Sequence, residues 1–181
     1  MLSKDVDAME KLMIPDETML DEIRAYRQAF LDSGDSMDGT GCLRECEDPQ
    51  QWLRACRLHA KWETTPQGRV PATQFVFVRE DDQRIVGMLD VRHAFNDYLE
   101  KYGGHIGYSV HPDERGKGYA SQMLRDALVY CKALELDRVL ITCLADNEAS
   151  RRTIVKNGGA YEYTVREPGE DADIERYWIA L

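Results

Sequence analysis

One stretch in the middle of the chain, residues 105–144, constrains the fold more than any other. Residues 105–110 alternate between polar and apolar side chains, as a strand with one buried face does. From Tyr119 to Cys131, small and apolar residues recur at steps of three and one, which predicts a helix with one buried stripe. Residues 138–144 then predict a short apolar strand. A strand–helix–strand unit of this kind brings its two strands parallel or nearly so.

The segments on either side of this unit predict mostly antiparallel structure. Upstream, an N-terminal strand of undefined bounds precedes two amphipathic helices, and a short turn joins the next two strands. Downstream, a second helix ends at Gly158, a residue suited to a left-handed helix end. The predicted segments are helices after Pro15-Asp16 and after Asp48-Pro49, strands 74–79, 84–91 and 105–110, a helix from 119, strand 138–144, helix 147–157, and strands 160–166 and 174–181. This order predicts an α+β fold with a mixed, mostly antiparallel sheet flanked by helices, in a single domain spanning residues 1–181.

The composition excludes several classes of protein. Apolar residues make up 43% and charged residues 31% of the 181 residues, which is typical of a globular chain and not of a disordered one. The longest apolar runs, such as residues 75–78 and 139–141, are far shorter than the ~20 residues of a membrane span, so we expect no membrane partner. No basic-then-apolar leader opens the chain, so we expect no secretory signal and a cytoplasmic location.

The five cysteines indicate neither a disulfide framework nor a metal site. None forms a CxxC pair, and without a secretory signal we expect all of them to be reduced. Cys42, Cys46 and His59 match no metal-ligand spacing, so we expect no metal.

The charge distribution separates one segment from the rest of the chain. A net charge of −10, from 23 basic and 33 acidic residues, argues against a nucleic-acid partner. Residues 111–160 nevertheless hold eight basic against seven acidic residues, so the acidic excess lies elsewhere. An anionic ligand is therefore expected in this segment.

The loop that precedes the helix at Tyr119 carries the residues of an anion-binding site. The first turn of a helix leaves about four N–H groups unpaired, and the helix dipole adds partial positive charge there. Two glycines let an anion approach the main chain, and two basic side chains add full charges. The sequence therefore predicts a phosphate or pyrophosphate site, with a plain glycine turn into a helix as the alternative. The segment reads Arg115-Gly116-Lys117-Gly118-Tyr119-Ala120.

The spacing discriminates between three kinds of phosphate ligand. The Walker pattern GxxxxGK[ST] is absent from this loop. The dinucleotide pattern GxGxxG is matched at Gly116 and Gly118 but not at Ser121. A dinucleotide domain also needs a run of parallel β-α units, and only one is predicted here. A nicotinamide dinucleotide is thus the less favoured ligand.

The third kind of ligand follows from a resemblance to a known family. Arg115-x-x-Gly118-x-Ala120 resembles the [Q/R]xxGx[G/A] motif of the GNAT N-acetyltransferase superfamily. Asn147-x-x-Ser150 is similar to the second cofactor-contacting segment of that family. The order of elements also matches over nearly the whole chain, and the likeness is to a bacterial subgroup of predicted acetyltransferases.

The resemblance implies that acetyl-CoA binds in a V-shaped gap between the strand at 108–110 and the strand at 139–144. The backbone of Tyr108 and Val110 would bond the pantetheine arm, and Asn147 and Ser150 would contact it from the next helix. The pyrophosphate would lie on the main-chain amides of Gly116, Lys117, Gly118, Tyr119 and Ala120, beside Arg115. A primary amine would then attack the thioester directly, without a covalent enzyme intermediate.

Two histidines are the candidates for the catalytic base. His105 opens the central strand near where family members often place a glutamate, and an ordinary histidine pKa of about 6.5 suits neutral pH. For His105, a histidine packed against Tyr102 or Tyr98 is the alternative. His93 is the second candidate base, and Asp90 and Glu100 follow. Many family members also carry a tyrosine as general acid seven residues after the helix-opening asparagine, and here Ile154 stands there. Tyr161, Tyr163 or a water would have to replace it, or the thiolate leaves unprotonated.

The acceptor is the least defined part of the prediction. The loops 39–47, 95–102 and 168–173 are rich in Asp, Glu and Tyr and would attract a cationic amine, either a small molecule or a peptide amino group. The resemblance also makes a homodimer possible. A non-catalytic acyl-CoA-binding protein is the main alternative function.

Overall fold

A computed structural model describes residues 10–181 and shows eleven principal helices and strands in that part of the chain. The predicted domain also includes residues 1–9, which lie outside the described residues. The elements are β1 (Glu10–Met13), α1 (Leu20–Ser33), α2 (Pro49–His59), β2 (Ala72–Arg79), β3 (Ile85–Arg92), β4 (Ile106–Val110), α3 (Tyr119–Ala133), β5 (Arg138–Leu144), α4 (Glu148–Lys156), β6 (Ala160–Glu167) and β7 (Ala172–Ala180).

The strands form two antiparallel sheets, with the orders β1-β2-β3-β4 and β5-β7-β6. The predicted α+β class is confirmed, but the predicted mixed sheet is divided in two. The sheets meet where the N–H of His105 donates to the carbonyl of Leu140 at 2.7 Å. Past this point β4 pairs with β3 alone, because β4 is an edge strand of its sheet. A parallel ladder between β4 and β5 therefore does not form, and the two strands diverge.

Local sequence signals place the ends of the helices. The Asp48 side chain accepts the N–H of Gln50 at 2.9 Å, and Pro49 occupies the first helical position of α2. Gly34 ends α1 in the left-handed conformation, with φ of 71°. Gly158 has φ of 92° directly after α4, as the sequence predicts.

Two hydrophobic cores lie on the two faces of the first sheet. Helices α1 and α2 cover one face, where Phe30, Trp52 and Met88 are buried. Helix α3 covers the other face, where Leu89, Met123 and other residues form a larger core. This larger core also includes β5 and β7 side chains, so it continues from the first sheet into the second.

Candidate functional site

The divergence of β4 from β5 opens a gap that is lined by main-chain polar groups. Arg92 donates its N–H to the carbonyl of His105, and His111 donates its N–H to the carbonyl of Val86. In an antiparallel pair, successive residues of a strand point their N–H and C=O groups to opposite sides. Residues 107 and 109 therefore face β3, and the backbone groups of residues 106, 108 and 110 face the gap. These groups can bond an extended ligand as another strand would.

The start of α3 presents unpaired N–H groups beside this gap. No hydrogen bond within the described residues uses the N–H of any residue from 116 to 120, and the helix has no side-chain cap. Gly116 and Gly118 have φ of 77° and 87°, a conformation that favours glycine, and a Cβ on either would meet nothing within 4 Å. The predicted phosphate site, which consists of the main-chain N–H groups of residues 116–120 and is called the cradle below, is therefore uncapped. It is open to solvent, as an anion-binding site requires.

The basic side chains of the cradle are both held by carboxylates of the protein. The Arg115 guanidinium bonds Asp35 at 2.8 Å, and its Nε lies 3.4 Å from the carbonyl of Val110. The Lys117 ammonium bonds Glu114 at 2.6 Å. These pairs hold both cations next to the free N–H groups, and the two carboxylates offset part of their positive charge.

Glu114 anchors the cradle to the β2–β3 hairpin. Its side chain is 3% exposed and bonds Arg79 at 3.0 Å and Arg84 at 2.9 Å, in addition to Lys117. These hydrogen bonds and charges lower its pKa against the opposing effect of burial. Sequence reasoning did not identify this role of Glu114, because its partners come from a hairpin about 30 residues earlier in the chain.

Helix α4 faces the gap from the β5 side. The Asn147 side-chain oxygen accepts the N–H of Ser150 at 3.0 Å and so caps the helix, while its amide nitrogen has no partner among the described residues. The Ser150 hydroxyl lies 2.7 Å from the hydroxyl of Tyr108. The Tyr108–Ser150 contact thus brings α4 against β4.

His105 lies at the junction of the two sheets. Its ring is 5% exposed, stacks 4.0 Å from the Phe95 ring, and accepts the N–H of Leu140 on Nδ1 at 2.9 Å. Burial lowers its pKa to about 4. Because Nδ1 is occupied, the proton of the neutral ring sits on Nε2 and no lone pair is free to accept another. The geometry gives His105 a structural role and does not favour its predicted role as base.

His93 lies on the α3 side of the first sheet, away from the cradle. Its Nε2 is 2.8 Å from the Thr73 hydroxyl, which in turn contacts the Tyr130 hydroxyl near the end of α3. Burial also lowers its pKa. The polar partners that the structure gives His93 are therefore groups of β2 and α3.

A cavity of about 240 Å³ lies on the opposite face of the first sheet, between α2 and the ends of β2 and β3. Asp90 and Arg92 form part of its wall and bond each other at 3.1 Å and 3.2 Å. Asp90 also accepts the N–H of Gly107 at 3.2 Å, which links the cavity wall to β4. The sequence ranks Asp90 after the two histidines as a candidate base, and the structure pairs it with Arg92 in this wall. The other lining residues are Gly41, Cys42, Ala55, Cys56, His59, Arg69, Val70, Ala72, Gln74, Asn96, Tyr98 and Leu99.

The described part of the chain shows neither a metal-ligand cluster nor a membrane-spanning helix. Residues 10–181 contain no group of three or more His, Cys, Asp or Glu side chains arranged to hold a metal ion. Among the helices that the structure describes, none has the length and apolar character needed to cross a membrane.

The fold is that of an N-acetyltransferase, with two antiparallel sheets that diverge beside the uncapped start of a helix. The chain belongs to the GNAT acetyltransferase family, because the family model of the acetyltransferase (GNAT) domain matches residues 8–160. This confirms the predicted family. The matched segment covers more than four fifths of the chain and includes the cradle, Asn147 and Ser150.

Two curated relatives from Bacillus subtilis (strain 168) match part of the chain. The uncharacterized N-acetyltransferase YnaD is 30% identical over 88 residues, which are 48% of this chain and 49% of the relative. The uncharacterized N-acetyltransferase YoaA is 30% identical over 91 residues, 49% of each protein. The chain thus spans about half the length of the curated relatives it matches.

Solved structures confirm the fold. The chain superposes on the ribosomal-protein-S5-alanine acetyltransferase from Vibrio fischeri with a TM-score of 0.70 at 18% sequence identity. The superposition covers 94% of this chain and 92% of the Vibrio fischeri chain. RimJ of Mycobacterium smegmatis, solved in complex with CoA-disulfide, superposes with a TM-score of 0.69 at 21% sequence identity. This superposition covers 94% of this chain and 81% of the RimJ chain. At these identities the likeness establishes the fold alone.

Proposed function

We propose that this chain transfers an acetyl group from acetyl-CoA to a primary amine. The observation that carries the proposal is the row of unpaired N–H groups at residues 116–120, set where β4 leaves β5. Such a row suits the pyrophosphate of a nucleotide, because both N–H direction and helix dipole favour an anion there. Acetyl-CoA would supply the acetyl group as an activated thioester.

The residues present fit the pyrophosphate and the pantetheine arm of this ligand. The N–H groups of Gly116 to Ala120 would hold the pyrophosphate, with Arg115 and Lys117 beside it. The gap-facing backbone of Tyr108 and Val110 would pair with the amides of the pantetheine arm. The free amide nitrogen of Asn147 would donate to the same arm from α4.

The transfer itself requires a neutral amine and a donor for the carbonyl oxygen. The gap-facing N–H of Tyr108 would stabilise the charge that develops on this oxygen. The amine attacks directly, so the nitrogen–carbon bond forms as the carbon–sulfur bond breaks. The acceptor nitrogen gives its proton to solvent, because both candidate histidines are engaged in structural hydrogen bonds.

The cavity beside Asp90 is the proposed acceptor site. Its wall continues through the Asp90–Gly107 bond to β4, where the acetyl group would lie. Because Arg92 compensates the charge of Asp90, the cavity lacks the free carboxylates that a polycation needs. Small side chains such as Ala55 and Ala72 line it instead. We therefore favour a peptide amino terminus with a small first residue, the kind of acceptor that the name of the Vibrio fischeri neighbour gives for that protein.

Two measurements test the proposal. Calorimetry with acetyl-CoA, and separately with NADH, should show binding of acetyl-CoA alone; binding of NADH alone would overturn the proposal. Release of free CoA is then followed over a panel of peptides with Ala or Ser at the amino terminus, with spermidine as a polycationic comparison. Tight acetyl-CoA binding without release above the uncatalysed rate would indicate a non-catalytic acyl-CoA-binding protein.

A further inference from the structure

Three of the five cysteines lie around the proposed acceptor cavity. Cys42 and Cys56 form part of its wall, and Cys46 follows Cys42 by one turn of the chain. Cys131 and Cys143 instead belong to the larger core. All five are free thiols, and the proposed reaction uses none of them.

The thiols of Cys42 and Cys46 are in direct contact. The N–H of Cys46 donates to the carbonyl of Cys42 at 3.1 Å, which closes one helical turn and places both side chains on the same side of it. The Cys46 thiol donates to the Cys42 sulfur at 3.3 Å. In a helical turn, Cα atoms four residues apart are separated by about 6 Å, within the range of about 4.4–6.8 Å that a disulfide spans. A bond between the two sulfurs therefore needs side-chain rotation and keeps the backbone turn.

The loop that carries these two thiols is already ordered by hydrogen bonds. The Arg27 guanidinium of α1 donates to the carbonyls of Leu43 at 3.0 Å and Arg44 at 2.8 Å, between the two cysteines. The indole N–H of Trp52 donates to the carbonyl of Thr40 at 2.8 Å, just before them. Because these bonds fix the backbone, little conformational entropy remains to be lost when the two sulfurs join.

The two thiols differ in their access to the cavity. Cys42 lines the cavity, whose volume of about 240 Å³ admits a small oxidant such as hydrogen peroxide. Cys46 lies behind it, and burial, together with the contact to Cys42, raises the pKa of the Cys46 thiol to about 11. Cys46 therefore keeps its proton at neutral pH. Cys42 is the sulfur that an oxidant in the cavity reaches first, and Cys46 is in contact with it.

We propose that Cys42 and Cys46 are a site of reversible oxidation, where hydrogen peroxide forms a disulfide that alters the acceptor cavity. The effect on the acceptor rests on the proposed function, whereas the oxidation itself does not. The Cys42 thiol releases its proton, and its sulfur attacks one peroxide oxygen. The oxygen–oxygen bond breaks to give a sulfenic acid and hydroxide, which takes up the released proton and becomes water.

The second step closes the disulfide. The Cys46 sulfur attacks the Cys42 sulfur, the sulfur–oxygen bond breaks, and the hydroxyl group leaves as water with the Cys46 proton. Two thiols are thus oxidised while one peroxide is reduced to two waters. A small-molecule thiol reverses the change by thiol–disulfide exchange and is itself oxidised.

The loop also contacts β4, so a change at Cys42 is close to the place where the acetyl group would lie. Gly39 packs so tightly on β4 that there is no room for a Cβ against the carbonyl of Gly107. Gln74, which lines the cavity, donates to the Gly39 carbonyl at 2.7 Å. The sulfurs of Cys42 and Cys46 are 3.3 Å apart and must approach by roughly 1.3 Å to bond. This approach displaces the Cys42 side chain from its position in the cavity wall.

Peptide mapping tests the site without an assay of activity. Trypsin places the three thiols on separate peptides, which are residues 28–44, 45–54 and 55–57. After peroxide treatment of the wild-type protein, peptides 28–44 and 45–54 should appear as one species that lacks two hydrogen atoms, and a reductant should separate them. A link from 28–44 to 55–57 instead, or no link, would overturn the proposal.

Serine variants identify the role of each sulfur. In Cys46→Ser the sulfenic acid of Cys42 has no thiol to react with, so dimedone should label peptide 28–44. Cys46→Ser should also keep the wild-type acceptor KM without oxidant, because Cys46 is outside the cavity wall. In Cys56→Ser the link between the other two thiols should still form. Absence of the dimedone label, or loss of the link in Cys56→Ser, would contradict the assignment.

Kinetics test the effect on the acceptor cavity. The oxidised wild-type protein should show an acceptor KM raised on the order of tenfold, because a shift of about an ångström misplaces bound reactants. Its affinity for acetyl-CoA should stay unchanged, and reduction should restore the KM. A linked protein with an unchanged acceptor KM would overturn the effect on the cavity. A protein that forms the link but acetylates no amine when reduced would overturn the proposed function and leave the oxidation site standing.

Discussion

His105 and Leu140 are joined by two hydrogen bonds, one from each main-chain N–H. The His105 N–H donates to the Leu140 carbonyl at 2.7 Å, and the Leu140 N–H donates to the His105 ring at 2.9 Å. This reciprocal pair closes the base of the gap between β4 and β5. Any change at His105 therefore acts first on the junction of the two sheets.

Replacing His105 by alanine should destabilise the protein by about 1–3 kcal/mol, because it leaves a buried N–H without a partner. His105→Asn keeps a side-chain acceptor and should recover part of this loss. Urea denaturation of the three proteins measures the difference. If catalysis depends on His105 as base, the asparagine variant will instead lose the acid limb of the pH–rate profile while remaining stable.

The same residue predicts a pH dependence of stability. Burial lowers the pKa of His105 from 6.5 to about 4, so between these values the unfolded chain binds a proton that the folded chain does not. The free energy of unfolding should therefore fall as the pH falls through this window. Repeating the urea titrations at about pH 7 and about pH 5 should show a smaller fall for His105→Asn than for wild type. Equal falls would mean that His105 does not titrate in this range.

At Gly118, charge and backbone conformation can be tested separately. Gly118→Ala adds only the cost of a side chain at φ of 87°, about 1 kcal/mol, since there is open space around the Cβ. Gly118→Asp also places a carboxylate where it repels a phosphate and can cap the free N–H groups. We expect acetyl-CoA binding by calorimetry to be lost in the aspartate variant and retained, though weaker, in the alanine variant. Equal affinities would contradict a phosphate site at the cradle.

Glu114→Gln should destabilise the protein on the order of 3 kcal/mol, because it leaves the partly buried Arg79 and Arg84 and the more exposed Lys117 without their shared, buried carboxylate. Asp113→Asn is the matched control, since Asp113 is exposed in the same loop and its change should stay within about 0.5 kcal/mol. The pKa of Glu114 is lowered, so its contribution is present at neutral pH and is lost as the pH falls below 4.5. Chemical denaturation near neutral pH measures both variants, and similar stabilities would show that the network contributes little.

Filling the cavity tests the proposed acceptor site. Ala55→Phe on α2 places a ring in the cavity and should raise the KM for the acceptor at least tenfold, while acetyl-CoA affinity stays the same. Leu58→Phe lies on the same helix at an exposed position and should change neither constant. If the two variants have the same acceptor KM, the acceptor binds elsewhere.

The elements and the cradle were predictable because their signals are local. Each signal depends on residues that are close together in the sequence. The signals are the glycines at 116 and 118, the apolar stripe from Tyr119 to Cys131, and the Asn147 cap. The sequence therefore predicted where the helix starts and which N–H groups it leaves free. The family could be predicted for the same reason, since its motif lies in this short segment, and the family model over residues 8–160 confirms it.

The parts that sequence did not predict depend on contacts between distant segments. The alternating pattern of residues 105–110 predicts a strand that starts at His105, whereas β4 starts at Ile106, and it does not show that the His105 ring accepts the Leu140 N–H 35 residues away. The gap between β4 and β5 was implied by the family resemblance, but strand order alone does not show that the two sheets separate completely past His105. The Tyr108–Ser150 contact likewise joins residues separated by 42 positions.

The divided sheet has a consequence for how the molecule unfolds. Because β4 and β5 do not pair past His105, backbone hydrogen bonds contribute little to holding the two sheets together. Cooperative unfolding of the two sheets must then come from side chains that pack against both of them. Met123 and Leu124 of α3, each 0% exposed, lie in that common core. Loosening this helix would let the halves open independently, and amide hydrogen exchange would register them as two units.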